Sequence, residues 1–434
     1  MARGIAAGAL ASLLILTLSS IAAAEPAPAD SAPAPTEGAP TPGETEPTPA
    51  EAKPEKPPAD ETKPADETKP ADETKPADET KPDGKGSKPR ETSFAIVPGP
   101  FYNPNLGVGL NVIPMLMFHP SKKDLVSPPS LVLLNALYAI KPPFDEDPGA
   151  RQSGFVSAAT RLYLDEDRWR VVGMFAYFNL FQQFYGIGGD ASYSNPQFDY
   201  RLEQFIAMGQ LFRRIFVKGL YAGVLLGYTT YHTKTKDPAD EAILAGLGSG
   251  SEWRGQPVFG LLGQYDSRND KYYPSRGVNI NLRVNGSVQP DEDYLLLAPN
   301  FNHYIPLLGE NRVILAYRVF GQFGFGNLPM SAYARYGIRG TTLGYETGEY
   351  MDKMMTGAEA EVRWIVWKRI GVEGGGGLGK VFANFSQFGD QPWLPGVWGS
   401  GTFKIMDKQN IRARATVAYG KSGVLFYFTI GQNF

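Results

Sequence analysis

The sequence contains no cysteine. This absence excludes disulfide frameworks, thiolate metal sites and cysteine nucleophiles together. It also excludes a lipoprotein anchor, which needs a cysteine at the mature N-terminus. Histidine is scarce: His119, His232 and His303 stand far apart without metal-ligand spacing. A zinc site is therefore not expected, and each histidine is expected at the surface or at a rim. Beyond the N-terminal leader, no apolar run reaches the ~18 residues of a membrane-spanning helix. No Gly-x-Ser-x-Gly elbow, paired acid and base, or phosphate loop lies in a context that would support catalysis. The chain is not expected to be an enzyme, and no catalytic residue, metal or cofactor is assigned.

The 434 residues include 49 glycines, 22 tyrosines and 25 phenylalanines, with a formal net charge of −3. Glycine and aromatics at this level suit a membrane β-barrel with aromatic girdles better than a helical enzyme. The first 24 residues read as a signal peptide. Arg3 supplies the positive end, residues 5–18 the apolar core, and Ala22-Ala23-Ala24 the small residues before a cut at Glu25. The protein is thus expected outside the cytoplasm.

Residues 25–92 are Pro, Ala, Glu, Thr and Lys with almost no large apolar side chain, and include four tandem copies of Pro-Ala-Asp-Glu-Thr-Lys over residues 58–81. Such a segment cannot bury enough apolar area to offset the entropy of ordering, so it is expected to be a disordered spacer. At polyproline rise it would span roughly 200 Å. Carboxylates outnumber basic residues in it, which argues against nucleic acid as a partner. Two readings stay open: a solvated periplasmic spacer, or a tether to peptidoglycan or a periplasmic partner.

From residue 93 the pattern has period two, the mark of strands with two unlike faces. In Val278-Asn279-Ile280-Asn281-Leu282-Arg283-Val284-Asn285, aliphatic residues alternate with Asn and Arg. Glu359, Glu361 and Arg363 alternate with Ala360, Val362, Trp364 and Val366, and Arg412, Arg414 and Thr416 alternate with apolar neighbours. A further strand over residues 216–232 would put Phe216, Leu220, Val224, Leu226 and Tyr228 on one face, and Gly219, Gly223 and Gly227 on the other.

A soluble sandwich also alternates. Three features favour a membrane barrel: charges in mid-strand, aromatic ends to the apolar faces, and runs of about ten residues, enough to cross a bilayer when tilted. Lipid offers no partner to a free backbone edge, so such strands must close. The expected fold is all-β, a transmembrane antiparallel barrel of about 16 strands over residues 93–434. Strands are expected at 94–100, 106–118, 130–140, 153–164, 168–181, 199–213, 216–232 and 256–267. Further ones are expected at 277–288, 294–306, 311–325, 355–367, 370–383, 395–406, 410–420 and 423–434.

Between two of these strands lies the long irregular stretch 331–352, centred on Ile338-Arg339-Gly340. A connection of this length without periodicity is functional or disordered. Its aromatics and arginine favour a loop folded into the lumen. A second motif is Tyr265-Asp266-Ser267-Arg268-Asn269-Asp270 followed by Tyr273-Pro274-Ser275-Arg276-Gly277, a strand end, tight charged turn and restart. Taken by itself, it is a good hairpin turn. The last strand carries Phe426 and Phe428 and the chain ends on Phe434. A terminal aromatic strand is the type of signal by which barrels are recognised for insertion.

Together with Phe184-Tyr185-Gly186-Ile187-Gly188 and Gly431-Gln432-Asn433-Phe434, these motifs in this order resemble the BamA/TamA superfamily of outer-membrane assembly factors, the bacterial surface-antigen barrel. The resemblance spans roughly residues 93–434. It implies a sixteen-stranded barrel whose Arg-Gly loop folds into the lumen, where the arginine meets carboxylates of the next two strands. Carried onto this chain, Arg339 and Gly340 form the loop motif, and Glu361 is the arginine's first partner, flanked by Glu359 and Arg363. The second partner departs from the family pattern, because Gly371-Val372-Glu373-Gly374-Gly375-Gly376-Gly377 has glycine where an aspartate is expected. Glu373 would substitute only through a register shift, while the glycines would let the loop approach the wall.

Assembly factors of this kind carry soluble periplasmic domains; here the proline-rich spacer occupies that place. The resemblance implies location in the outer membrane of a Gram-negative cell, with the linker in the periplasm. It also implies insertion or translocation of protein, or of lipid, through a weak seam between first and last strands. Pro98 and Pro100 in the first strand fit such a seam, since proline removes ladder donors. The expected partners are outer-membrane lipids, the barrel assembly machinery, and unfolded outer-membrane proteins or peptidoglycan. The competing readings are a passive channel plugged by the Arg339 loop and a structural tether to the cell wall.

Overall fold

In the computed structural model of the chain, the described residues are 92–103, 106–141, 151–190, 197–290, 292–309, 312–337, 341–346, 348–406, 410–432 and 434. The expected signal peptide and nearly all of the spacer, and Ile338, Arg339 and Gly340 of the loop, lie outside them.

Period-two alternation yields strands where it was expected. In chain order they are β1 (Ser93–Asn103), β2 (Gly107–Phe118), β3 (Ser130–Ile140), β4 (Gln152–Leu164), β5 (Trp169–Phe184) and β6 (Phe198–Arg214). Then come β7 (Leu220–Lys234), β8 (Arg254–Asp266), β9 (Gly277–Ser287), β10 (Tyr294–Leu308) and β11 (Val313–Gly326). Two short strands, β12 (Ala334–Arg335) and β13 (Met351–Asp352), pair with each other. The chain closes with β14 (Met354–Trp367), β15 (Ile370–Phe382), β16 (Leu394–Met406), β17 (Ile411–Gly420) and β18 (Gly423–Ile430). All except β12 and β13 form one 16-stranded sheet in sequence order, an antiparallel, nearly closed barrel. The connections therefore alternate between the end that holds residues 93 and 430 and the opposite end.

The burial pattern is inverted relative to a soluble protein. On β14, Glu361 and Arg363 are 1% and 0% exposed, whereas Val362 and Trp364 between them are 44% and 45% exposed. On β17, Arg412 and Arg414 are buried while Val417 and Tyr419 are exposed, and on β9 Ile280 and Leu282 face outward. Exposed apolar and buried charged side chains on one strand require lipid outside and a polar interior.

That interior is two-sided, which the strand patterns did not reveal. From β2 to β6 the inward positions are largely apolar, and Ile113, Leu133, Leu137, Phe155, Val172, Phe178 and Ile206 form one cluster. From β9 to β17 they are polar, including Asn279, Asn302, Arg318, Glu359, Glu361, Arg363, Glu373, Arg412 and Arg414.

Several expectations are corrected. Strand β7 begins at Leu220, not at residue 216. Phe216 has φ 53° and is 98% exposed, and Gly219 has φ 88°, so both belong to the preceding turn. Residues 235–253, read only as a connection, contain helix α1 (Pro238–Gly246), capped where Asp237 Oδ1 accepts from Ala239 N at 2.8 Å. Its Leu244 packs with Phe184, Tyr200, Met330 and Met351 at the far mouth. His232 is not exposed: its ring stacks on Trp253 at 5.0 Å and is buried. Strand β18 stops at Ile430. Gly431 then turns the chain with φ 83°, and Phe434 is buried instead of extending the lipid face.

Leu282→Arg, which puts a charge on the lipid face, is expected to cost about 2–4 kcal/mol if its site lies near the bilayer midplane. Urea unfolding in lipid vesicles measures it. A soluble β-protein would tolerate the same change at an exposed position.

Candidate functional site

The polar half of the lumen is organised by strand register. Glu361 on β14 stands opposite Gly375 on β15, and Gly375 stands opposite Trp398 on β16. A Cβ on Gly375 would lie 2.8 Å from the Trp398 ring. The missing side chain lets the indole cross the wall, and Trp398 Nε1 donates to Glu361 Oε2 at 2.7 Å. Arg363 Nε reaches Glu361 Oε1 at 2.9 Å, and Arg414 Nη2 reaches Glu361 Oε2 at 2.5 Å. Arg414 also pairs with Glu373 at 3.3 Å. Both Glu373 and Glu361 thus point inward in plain register, with no slip between them. One row away, Glu359 pairs with Arg318 of β11 at 3.0 Å, directly across the ladder.

Two separated sequence motifs meet at Arg363. Its Nη2 donates to the backbone oxygen of Phe434 at 2.8 Å, and the Phe434 ring lies 5.5 Å from the guanidinium. Tyr273, from the charged turn, approaches Arg363 at 5.8 Å and Arg412 at 4.5 Å. Leu343 of the loop joins Tyr273, Trp398 and Phe434 in one apolar cluster. The turn and the chain end therefore share Arg363 as an anchor, and the loop joins the same cluster through Leu343.

The loop itself is stitched to the wall. At its neck, Tyr336 N donates to Tyr350 O at 2.9 Å beside the β12–β13 pair. Tyr336 OH donates to Leu394 O at 2.8 Å, and Tyr345 OH to Pro395 O at 2.5 Å. Gly344 N donates to Tyr427 OH of β18 at 3.0 Å, and Ser422 donates to Glu349. Wall glycines make the approach possible. A Cβ on Gly379 would lie 2.6 Å from the Tyr336 ring, and one on Gly396 would lie 2.3 Å from Leu343 O. The glycine run thus serves close approach, as its composition implied.

The turn motif does more than reverse the chain. Gly277 has φ 100°, and a Cβ there would meet Ser267 O at 2.4 Å. Asn269 Oδ1 accepts from Ser275 N and Arg276 N, both at 3.1 Å, and Asp270 Oδ1 accepts from Tyr272 N and Tyr273 N. Pro274 follows Tyr273 and the chain returns into β9. Inside, Asp266 pairs with Arg268 at 3.1 Å and lies 3.8 Å from Arg170 and 4.0 Å from Lys271. Arg170 grips Asp167 through two nitrogens at 2.7 and 2.6 Å and stacks on Tyr221 at 3.7 Å. The turn is one side of a second buried charge cluster, which the strand patterns did not announce.

Sequence reasoning placed Glu359, Glu361 and Arg363 together, and the structure does so. Arg339 and Gly340 lie outside the described residues, so the expected Arg339–Glu361 pair is not described. Trp398 and Arg414 were missed as members of the site; the inward parity of Arg414 was the available signal. Of the terminal aromatics, Phe428 is exposed on the outer face, Phe426 is half-buried and Phe434 is inside.

The sequence matches the Omp85 superfamily domain over residues 149–393, more than half of the chain. The chain belongs to the Omp85 superfamily. Solved structures agree on the fold. BamA from Haemophilus ducreyi lacking POTRA domains 1–3 is similar at 15% identity and TM-score 0.51, covering 79% of this chain and 70% of that one. CdiB from Acinetobacter baumannii is similar at 12% identity and TM-score 0.50, and CdiB from Escherichia coli at 9% and 0.53. Each alignment covers 78% of this chain, and 59% and 62% of the respective CdiB, so this Omp85 barrel spans less than two thirds of either. No curated protein sequence matches the chain. Membership places the barrel in the outer membrane and bears out the resemblance read from the motifs.

Glu361→Ala would leave Arg363 and Arg414 buried without their shared carboxylate, a change expected to cost about 3–5 kcal/mol in denaturant unfolding. Adding Arg414→Met should recover part of that loss. Burial pushes the Lys271 ammonium down to about 7, below its unfolded value of ~10.4. Between those pH values the unfolded chain binds more protons at this site, so its contribution to stability rises with pH. Lys271→Met is expected to flatten that rise when unfolding is compared with the native chain from neutral to alkaline pH.

Proposed function

We propose that this barrel inserts or translocates polypeptide, or lipid, at the outer membrane by opening between β1 and β18. The observation that carries the reading is the seam. Strand β18 pairs with β17 from Gly423 to Ile430, and no ladder among the described residues pairs it with β1. Side-chain packing brings the two strands together instead. Val97 and Ile430 pack on the apolar inner cluster, Ala95 and Ile430 pack beside Met115 and Met117, and Gly99 lies under Phe428.

Among the described residues, separating such a seam costs apolar contacts and breaks no β1–β18 ladder. The exposed edge is a template for an incoming strand, whose backbone can add to the sheet. Pro98 and Pro100 keep β1 suited to an edge. Through Gly344 and Tyr427 the lumen loop holds β18 directly, so loop position and seam opening are mechanically linked. The assembly-factor resemblance supports the same reading. No catalytic step is part of it. The tether alternative rests on residues 25–92, almost all outside those described.

The test is the folding rate of an unfolded outer-membrane protein into liposomes, with and without this barrel. The chain has no native thiol, so Gly99→Cys with Phe428→Cys introduces the only pair available for cross-linking the seam. Acceleration is expected, lost on cross-linking and regained on cleavage of the cross-link. Absence of acceleration would favour the passive channel, for which Arg339→Ala should raise conductance.

A further inference from the structure

The lipid-facing wall carries a trough where side chains are missing. Register sets Ala158, Phe175, Ala207 and Tyr228 in one outward row across β4 to β7. The next row toward the end holding residues 93 and 430 contains two adjacent glycines, Gly173 and Gly209. Together they border a cavity of about 620 Å³. A Cβ on Gly209 would have only Leu226 O nearby, at 4.0 Å, so space is open above it. Four residues along β6, on the same face, stands Arg213, roughly 13 Å away at strand rise. Arg213 is exposed, lies 5.1 Å over the ring of its cross-strand neighbour Trp169, and has no carboxylate partner among the described residues.

From this we infer a specific seat for one glycerophospholipid, with an acyl chain in the trough over Gly173 and Gly209 and the phosphate on Arg213. The occupant follows from the surroundings. The trough continues the lipid-facing surface, and an empty apolar depression loses dispersion contacts that a flexible chain restores. Trp169 is the residue type that marks the membrane interface, which sets the headgroup level. The unpaired guanidinium next to it complements a phosphate through charge-assisted hydrogen bonds. Buried arginines such as Arg170, Arg363 and Arg414 already hold carboxylates, whereas the exposed Arg213 holds none among the described residues. The seat stands apart from the seam and does not depend on the insertase reading.

Full-length protein in bicelles containing phosphatidylglycerol and phosphatidylcholine, released for native mass spectrometry, tests it. The native chain is expected to keep a single phosphatidylglycerol in preference to phosphatidylcholine. Gly209→Phe fills the trough and should lower retention about tenfold or more, equivalent to about 1.4 kcal/mol. Ala207→Leu provides a milder filling should the first variant fail to fold, as judged by circular dichroism. Arg213→Gln should retain a lipid but lose the preference for the anionic headgroup. Leu282→Phe, elsewhere on the lipid face, should change nothing. Retention unaltered by filling, or detergent alone retained by the native chain, would overturn the proposal.

Discussion

The carboxylate of Glu361 is the constraint on which the lumen depends. Two guanidinia and an indole converge on it, from β14 itself and from the two strands β16 and β17. A buried ion pair is poor evidence for net stability, because desolvation offsets much of the attraction. Its effect here is specificity. Without Glu361, Arg363 would lose its carboxylate and Arg414 would keep only Glu373, so the register of β14 to β17 is favoured around it. Once Arg363 is fixed, Tyr273 of the charged turn, Leu343 of the loop and Phe434 find their places. The charged turn and the chain end are distant in sequence and neighbours here.

The apolar half of the lumen behaves differently. Inward residues of β2 to β6 pack on one another and receive Val97 and Ile430 from either side of the seam. The barrel is thus closed on its charged side by directional pairing and on its seam side by non-directional packing. Hydrophobic contact tolerates sliding, whereas hydrogen-bonded charge clusters have discrete geometries. On the proposed reading, a barrel built this way parts along the packed side while its charged side keeps register. The link between Gly344 and Tyr427 spans the two.

Most of the fold was legible because lipid makes period two unambiguous. A strand reading Glu359, Glu361, Arg363 against Ala360, Val362, Trp364 has only one way to face. Strand number and order followed from the same pattern. What a single strand does not encode is its offset from its neighbours. That offset puts Trp398 beside Glu361 across an absent side chain at Gly375, and lets Glu373 join the cluster. The left-handed turn at Gly431 was equally silent, although it decides that Phe434 leaves the lipid face. Arg170 went unnoticed because its second carboxylate, Asp266, lies on a strand far along the chain.

Backbone hydrogen exchange of the barrel in bilayers, native against Glu361→Gln, tests the central claim most directly. If one carboxylate holds the loop, the turn and the last strand, exchange should accelerate together in residues 341–346, residues 267–276 and β18, while β3 to β6 stay protected. Acceleration confined to β14, or spread evenly around the barrel, would contradict it.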